Sequence, residues 1–147
     1  MVDFPPGTGE IHITVTQTFP VTGAVIVTTP QNVALADTKK GIGMFMMNAI
    51  NVPILGIVEN MSYFTPMELP NNKYYIFGEG GGKKLAETMQ VPFLAELPLV
   101  KSISESGDGG RPVILNEGNP VAEVFIEMAK KVAQQVAISN ANAFAKL

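Results

Sequence analysis

The sequence predicts an α/β protein with a mostly parallel sheet and helices packed against it. Three observations carry the prediction. Gly23 to Thr29 is an unbroken, valine-rich apolar run ending at Pro30, and runs without alternation mark strands buried on both faces of a parallel sheet. Gln31 to Asn51 follows with apolar residues at Val33, Ala36, Ile42, Phe45, Met46 and Ile50, close to the spacing of an amphipathic helix. Pro53 then opens a second short apolar run, Ile54 to Val58, which completes a βαβ rhythm.

Ahead of this unit stands Asp3-Phe4-Pro5-Pro6-Gly7-Thr8-Gly9-Glu10. Proline removes a backbone donor and glycine opens conformations closed to other residues, so Pro-Pro-Gly-Thr-Gly is a shaped loop and Asp3 is expected to end a strand cut down to Met1-Val2. Ligands of open α/β sheets lie outside the carboxyl ends of the strands, where an Asp can hold magnesium beside phosphates. The plainer reading is a surface turn in which Thr8 or Gly9 caps the next segment. Glu10 to Gln17 alternates β-branched and polar residues, a period that by itself says strand. His12, the single histidine, has no partner at a metal-ligand spacing and is expected to be solvated or hydrogen-bonded.

Within the predicted helix, Gly41 and Gly43 cost about 1 kcal/mol each relative to alanine and suggest close approach to the sheet or a break. Met44, Met46 and Met47 read as core filler. The second strand ends at Glu59-Asn60, and Met61 to Gly78 reads as a long loop with Pro66, Pro70 and Asn71-Asn72 as turn signals. Phe77 to Lys84 looks like a phosphate loop but puts Phe77 at the first glycine position and Lys84 at the hydroxyl position. Its glycines predict instead the entry turn of a helix from Lys83 to Gln90, whose start still offers free amides to an anion.

A third strand is expected from Pro92 to Leu97, with Pro98 and Leu99 at its carboxyl end, then a short helix from Ser102 to Ser106 closed by Gly107-Asp108-Gly109-Gly110. Asn119-Pro120 supplies a cap and a first-turn proline for a last helix. One face of that helix is Val121, Val124, Phe125, Met128, Val132 and Val136. Glu123 and Glu127 precede Lys130 and Lys131, as the helix dipole favours. Asn140 to Leu147 is expected to fray.

At 147 residues, 46% of them hydrophobic, the chain suffices for one domain. It has no apolar stretch of membrane-spanning length and no signal-peptide pattern in Met1 to Pro5, so a cytoplasmic location without membrane partners is expected. With no cysteine, disulfides, thiolate nucleophiles and cysteine ligation of a metal or cluster are excluded for this chain. A net charge of −3 without a basic run argues against nucleic acid.

The first octapeptide resembles the Asp-Leu-Pro-Pro-Gly-Thr-Gly-Asp signature of the Mrp/ApbC family, MinD-like deviant P-loop ATPases regarded as iron-sulfur cluster carriers. The resemblance continues through Gly23-Ala24-Val25-Ile26-Val27-Thr28-Thr29-Pro30-Gln31, then Pro53 to Phe64, then Gly109-Gly110-Arg111-Pro112-Val113. It implies a partial P-loop NTPase fold of the MinD (SIMIBI) type, in which residues 1–147 are the carboxyl-terminal part of one ATPase domain. The family's glycine-rich P-loop lies upstream of the signature, and no such run occurs here.

The same resemblance implies a helix, not a strand, at Glu10 to Gln17. It implies ATP and magnesium as ligands of the whole protein, with Asp3 catalytic and placing magnesium indirectly, and Gly7, Thr8 and Gly9 shaping a loop near the γ-phosphate. Asn60 would recognise adenine through its amide, and Pro98-Leu99 would lie against the base. ATP and iron-sulfur recipient apoproteins are the implied partners of a homodimer. Many members carry Cys-x-x-Cys just after Tyr-Phe; here Pro66 and Leu69 fall at those positions, which puts a bridging cluster in question. Two other classes stay open: a non-catalytic partner-binding module, and a MinD or ParA-like positioning ATPase. The second needs a membrane-targeting helix or a basic DNA patch, and neither is evident.

Overall fold

Three parallel strands form the sheet: β1 (Ala24–Thr28), β2 (Ile54–Phe64) and β3 (Phe93–Leu99), hydrogen-bonded in the order β1-β2-β3. The computed structural model describes residues 1–147 except Met67, Pro70, Glu117, Lys146 and Leu147. Helices α1 (Glu10–Thr18), α2 (Asn32–Phe45), α3 (Gly81–Met89), α4 (Lys101–Asp108) and α5 (Pro120–Phe144) connect and flank the strands, with a 3-10 turn at Val113–Leu115. On one face Ile42 of α2 and Ala86 of α3 close over Ile57 of β2. On the other, Val124, Phe125, Met128 and Val132 of α5 cover Val58, Leu94 and Leu97. The cap of α5 is as expected, the Asn119 side chain accepting the Val121 N–H at 3.0 Å with Pro120 next in the chain.

The strands meet closely because Gly56 lets them. A Cβ there would lie 2.6 Å from Leu94 Cγ and 2.7 Å from the Pro92 carbonyl, and its φ of 150° is one that other residues rarely adopt.

Several expectations are corrected. Residues 1–9 contain no strand, so Asp3 does not end one. The β1 run is not buried on both faces: it forms one edge of the sheet, α5 packs on β3 and β2, and Val25 and Val27 remain 38% and 60% exposed. Helix α2 runs unbroken through Gly41 and Gly43, and neither approaches the sheet, since a Cβ on either would meet open space. It stops at Phe45, not Asn51, where the chain turns through a left-handed Asn51 (φ 49°). Met44 is core, but Met46 and Met47 are exposed.

Strand β2 extends six residues past Val58 to Phe64, shortening the expected loop, and Tyr74 pairs back onto Phe64 through two backbone hydrogen bonds of 2.8 Å. Of the turn signals in that loop, Pro70 lies outside the described residues. Helix α3 begins two residues before Lys83, β3 includes Pro98 and Leu99, and α4 absorbs Gly107 and Asp108. Helix α5 stays helical to Phe144, so fraying from Asn140 is not seen there; Lys146 and Leu147 are outside the described residues. Among the described residues no helix is long and apolar enough to cross a membrane.

Candidate functional site

The carboxyl half of β2 carries a charged residue into the interior. Thr28, Glu59 and Glu96 stand in one row across the three strands, and Glu59 is fully buried. A buried carboxylate is tolerated only with partners. Glu59 has two: it accepts the Ser62 hydroxyl, and its Oε2 accepts the Gly82 N–H at 2.5 Å in the first turn of α3. Glycine at 82 suits that approach, because a Cβ there would lie 3.0 Å from Oε2 and the carboxylate would have to shift. One of the amides expected to be open to an anion, that of Gly82, is therefore taken from within the fold. Beside it, the Thr28 and Thr38 hydroxyls are 2.8 Å apart and tie β1 to α2.

Between the pairs Glu59↔Glu96 and Tyr63↔Pro98, β2 has Asn60, Met61 and Ser62 where β3 has only Leu97. The excess is a bulge, a feature that redirects side chains near functional sites. Met61 takes a left-handed φ of 54°, and Asn60 Oδ1 accepts the Met61 N–H at 2.9 Å. Pro98 and Leu99 pair with Tyr63 and Phe64 just beyond. The structure thus brings Asn60, Pro98 and Leu99 together on adjoining strands at the sheet's carboxyl end. Tyr63 lies here too, with the Lys73 ammonium 3.9 Å from its ring centroid. Partial burial, and then the Glu96 carboxylate, raise its pKa above the ordinary tyrosine value.

Asp3, Gly7, Thr8 and Gly9 lie elsewhere. All are exposed. Phe4 stacks on His12 at 5.0 Å, and both rings meet Phe45 edge-on at 6.4 Å. Phe45 closes α2 beside Val52 and Ala24, next to the amino ends of β1 and β2, so Asp3 is not brought to Asn60. Gly7 has φ 105°, and Gly9 precedes α1 without any side-chain cap. His12 is neither solvated nor bonded at Nδ1: it is buried among aromatic rings.

A groove of about 360 Å3 between β3 and α5 is lined by Glu96, Glu123, Glu127 and Lys131 among apolar residues, with carboxylates outnumbering the one ammonium. Sequence reasoning missed Glu59, Ser62 and Gly82. The available signal was a glutamate directly after an apolar strand, three residues before a serine.

A parallel sheet with helices on both faces, and polar groups gathered where its strands end, is the general arrangement of nucleotide-binding α/β folds, and solved structures similar to it are MinD-like P-loop NTPases. Among solved structures, the nucleotide-binding protein in complex with ADP from Archaeoglobus fulgidus superposes with a TM-score of 0.66 at 38% identity, over 80% of this chain and 46% of that one. The septum site-determining protein MinD complexed with Mg-ADP from Pyrococcus horikoshii gives 0.56 at 26% identity, over 80% and 44%. The family model of the NUBPL iron-transfer P-loop NTPases matches residues 1–133, and the chain belongs to that family. An iron-sulfur cluster carrier protein of Synechocystis is 45% identical over 140 residues, 95% of this chain and 39% of its own length. The chain spans about two-fifths of the length of the curated relatives it matches.

Proposed function

We propose that this chain is the carboxyl-terminal, base-recognising part of an ATP-dependent iron-sulfur cluster carrier, a cytoplasmic homodimer that passes clusters to recipient apoproteins. The observation that supports the reading is that Asn60 and the Pro98-Leu99 pair lie on adjoining parallel strands toward the carboxyl end of the sheet, where α/β folds bind ligands. Asn60 offers a paired donor and acceptor that suit an adenine edge, and the half-buried Leu99, beside the buried Pro98, would offer an apolar contact for the ring. ADP in the Archaeoglobus relative supports the assignment.

Magnesium is usually held by one or two carboxylates together with phosphate oxygens and water. Asp3 supplies one exposed carboxylate, and no cluster of three or more His, Asp or Glu exists among the described residues. That donor set fits the ion only when a nucleotide completes it, and bound magnesium would neutralise phosphate charge. Asp3 would act with the Gly7-Thr8-Gly9 loop at the γ-phosphate, which requires Phe4 to leave Phe45. The cluster, as cargo, finds no thiolate in this sequence, so its ligands would come from outside the chain. The absence of cysteine, and of a P-loop motif in residues 1–147, favours a second reading, a partner-binding module without catalysis.

One experiment separates them. In the protein joined to a P-loop-bearing upstream segment, Asp3→Asn is expected to slow ATP turnover at least tenfold with little change in affinity. Asn60→Ala is expected to weaken ADP binding by about 1–3 kcal/mol through a lost hydrogen bond. Absence of any ATP turnover in the parent protein would select the second reading, and equal loss of affinity in both variants would overturn the division of roles.

A further inference from the structure

We propose that Glu59 is a positioning residue for Asn60: its buried carboxylate staples the bulge in β2 and so fixes the direction of the amide that meets the base. The inference rests on the reading of Asn60 given above and adds a residue that the reading does not need.

Asn60 sits in an irregular piece of backbone. Its two successors, Met61 and Ser62, have no partners of their own in the β2–β3 register, and Met61 has a positive φ that a side chain with a Cβ adopts only when its surroundings impose it. An unsupported bulge of this kind samples several conformations and would point Asn60 in several directions. Here the two ends of the irregular stretch are tied together. Glu59, immediately before it, accepts the hydroxyl of Ser62 at its far end, and both side chains are buried to within 1%.

The staple is itself anchored. The second carboxylate oxygen accepts the Gly82 N–H of α3, so the bulge is fixed to the helix packed against β2 as well as to its own strand. A carboxylate at the start of a helix is favourable, and the missing Cβ of Gly82 is what lets Glu59 Oε2 come within hydrogen-bonding reach of the helix amide. Inside the bulge, Asn60 Oδ1 accepts the Met61 N–H, which commits one lone pair and sets the plane of the amide. The second lone pair and the NH2 group are what an adenine edge would read. The order of control is therefore Glu59, then Ser62 and Gly82, then the Met61 turn, then the Asn60 amide.

The test uses 15N NMR on this chain, titrated with ADP and with IDP, whose base lacks the exocyclic amine. Ser62→Ala removes the staple alone, Glu59→Ala removes staple and anchor, and Glu59→Gln keeps an oxygen for Gly82 and an NH2 group for Ser62. Ser62→Ala and Glu59→Ala are expected to speed hydrogen exchange at the Met61 amide at least tenfold and to bring an ADP preference of fivefold or more down to twofold or less. Glu59→Gln is expected to retain both. A purely structural role would lower the unfolding midpoint while leaving the ratio of ADP to IDP affinity unchanged.

Met61 protection and base preference within twofold of the parent in Ser62→Ala would overturn the proposal, and that variant decides if Glu59→Ala does not fold. A parent chain with no preference between ADP and IDP would instead defeat the reading of Asn60 as a base contact. Met61 exchange in the variants would then still decide whether Glu59 fixes the bulge.

Discussion

Tyr63 shows how one residue at the end of β2 links packing to pH. Partial burial is the larger cause of its raised pKa and the Glu96 carboxylate the smaller, since both disfavour the phenolate. A group that holds its proton more tightly in the folded state adds stability below its unfolded pKa, near 10 for tyrosine, and loses that stability as pH rises through the folded value. The expected outcome is an alkaline decline in urea midpoint above about pH 10 that Tyr63→Phe lacks. Midpoints of both proteins at pH 8 to 11 check it, and parallel declines would refute the cause. Residue identity also decided His12. Its lack of any partner at a metal-ligand spacing suggested a solvated or hydrogen-bonded ring, whereas the structure uses it as a flat surface between Phe4 and Phe45.

At the scale of elements, what the sequence made legible was whatever depends on near neighbours. The apolar run of β1, the Asn119-Pro120 start of α5 and its apolar face are local patterns, and each forms within a residue or two of expectation. Helix α1 was legible only through family resemblance. Alternation pointed to a strand, but the Thr16 and Thr18 hydroxyls bond carbonyls four residues back, and Ile11 and Ile13 face outward while His12 is buried. The end of β2 was misread for the opposite reason. Glu59, Asn60 and Ser62 look like the close of a strand, and the burial of Glu59 is supported by the N–H of the distant Gly82. Of the candidate site, the placement of Asn60 and of Pro98-Leu99 toward the carboxyl ends of their strands was legible; the buried Glu59 beside Asn60 was not.

That junction predicts opposite effects for two glycines in helices. Gly107 of α4 has open space around it, so alanine there is expected to stabilise by up to about 1 kcal/mol from helix propensity. Gly82→Ala gains the same propensity but sets a methyl group 3.0–3.1 Å from Glu59 Oε2 and Cβ, and a net loss of about 1–3 kcal/mol is expected. Urea unfolding of both variants is the check; a stabilised Gly82→Ala would mean that the contact between Glu59 and α3 is slack.

For the whole molecule, the two edges of the sheet differ. At the β3 side, Lys131 of α5 reaches over and donates to the Leu94 carbonyl at 2.9 Å, a charged cover of the kind that discourages further strand pairing. The β1 edge is Ala24-Val25-Ile26-Val27-Thr28, with no charge or proline, and its Val25 and Val27 side chains are bare on one face. An uncovered apolar edge strand is a template for another copy, so these 147 residues are expected to self-associate as concentration rises. Val27→Lys, which places a charge on the exposed face, is expected to reduce association while leaving the helical circular dichroism intact. The same chain lacks the glycine-lysine loop that cradles phosphates. Contacts to the base alone are expected to leave Mg-ATP affinity at millimolar or weaker, on the order of 4 kcal/mol or less. Light scattering over a concentration series and calorimetric titration with Mg-ATP measure the two expectations independently. A strictly monomeric chain that binds ATP at micromolar concentration would show residues 1–147 to be a self-sufficient nucleotide site, with β1 an ordinary edge and the phosphates held by groups other than a P-loop.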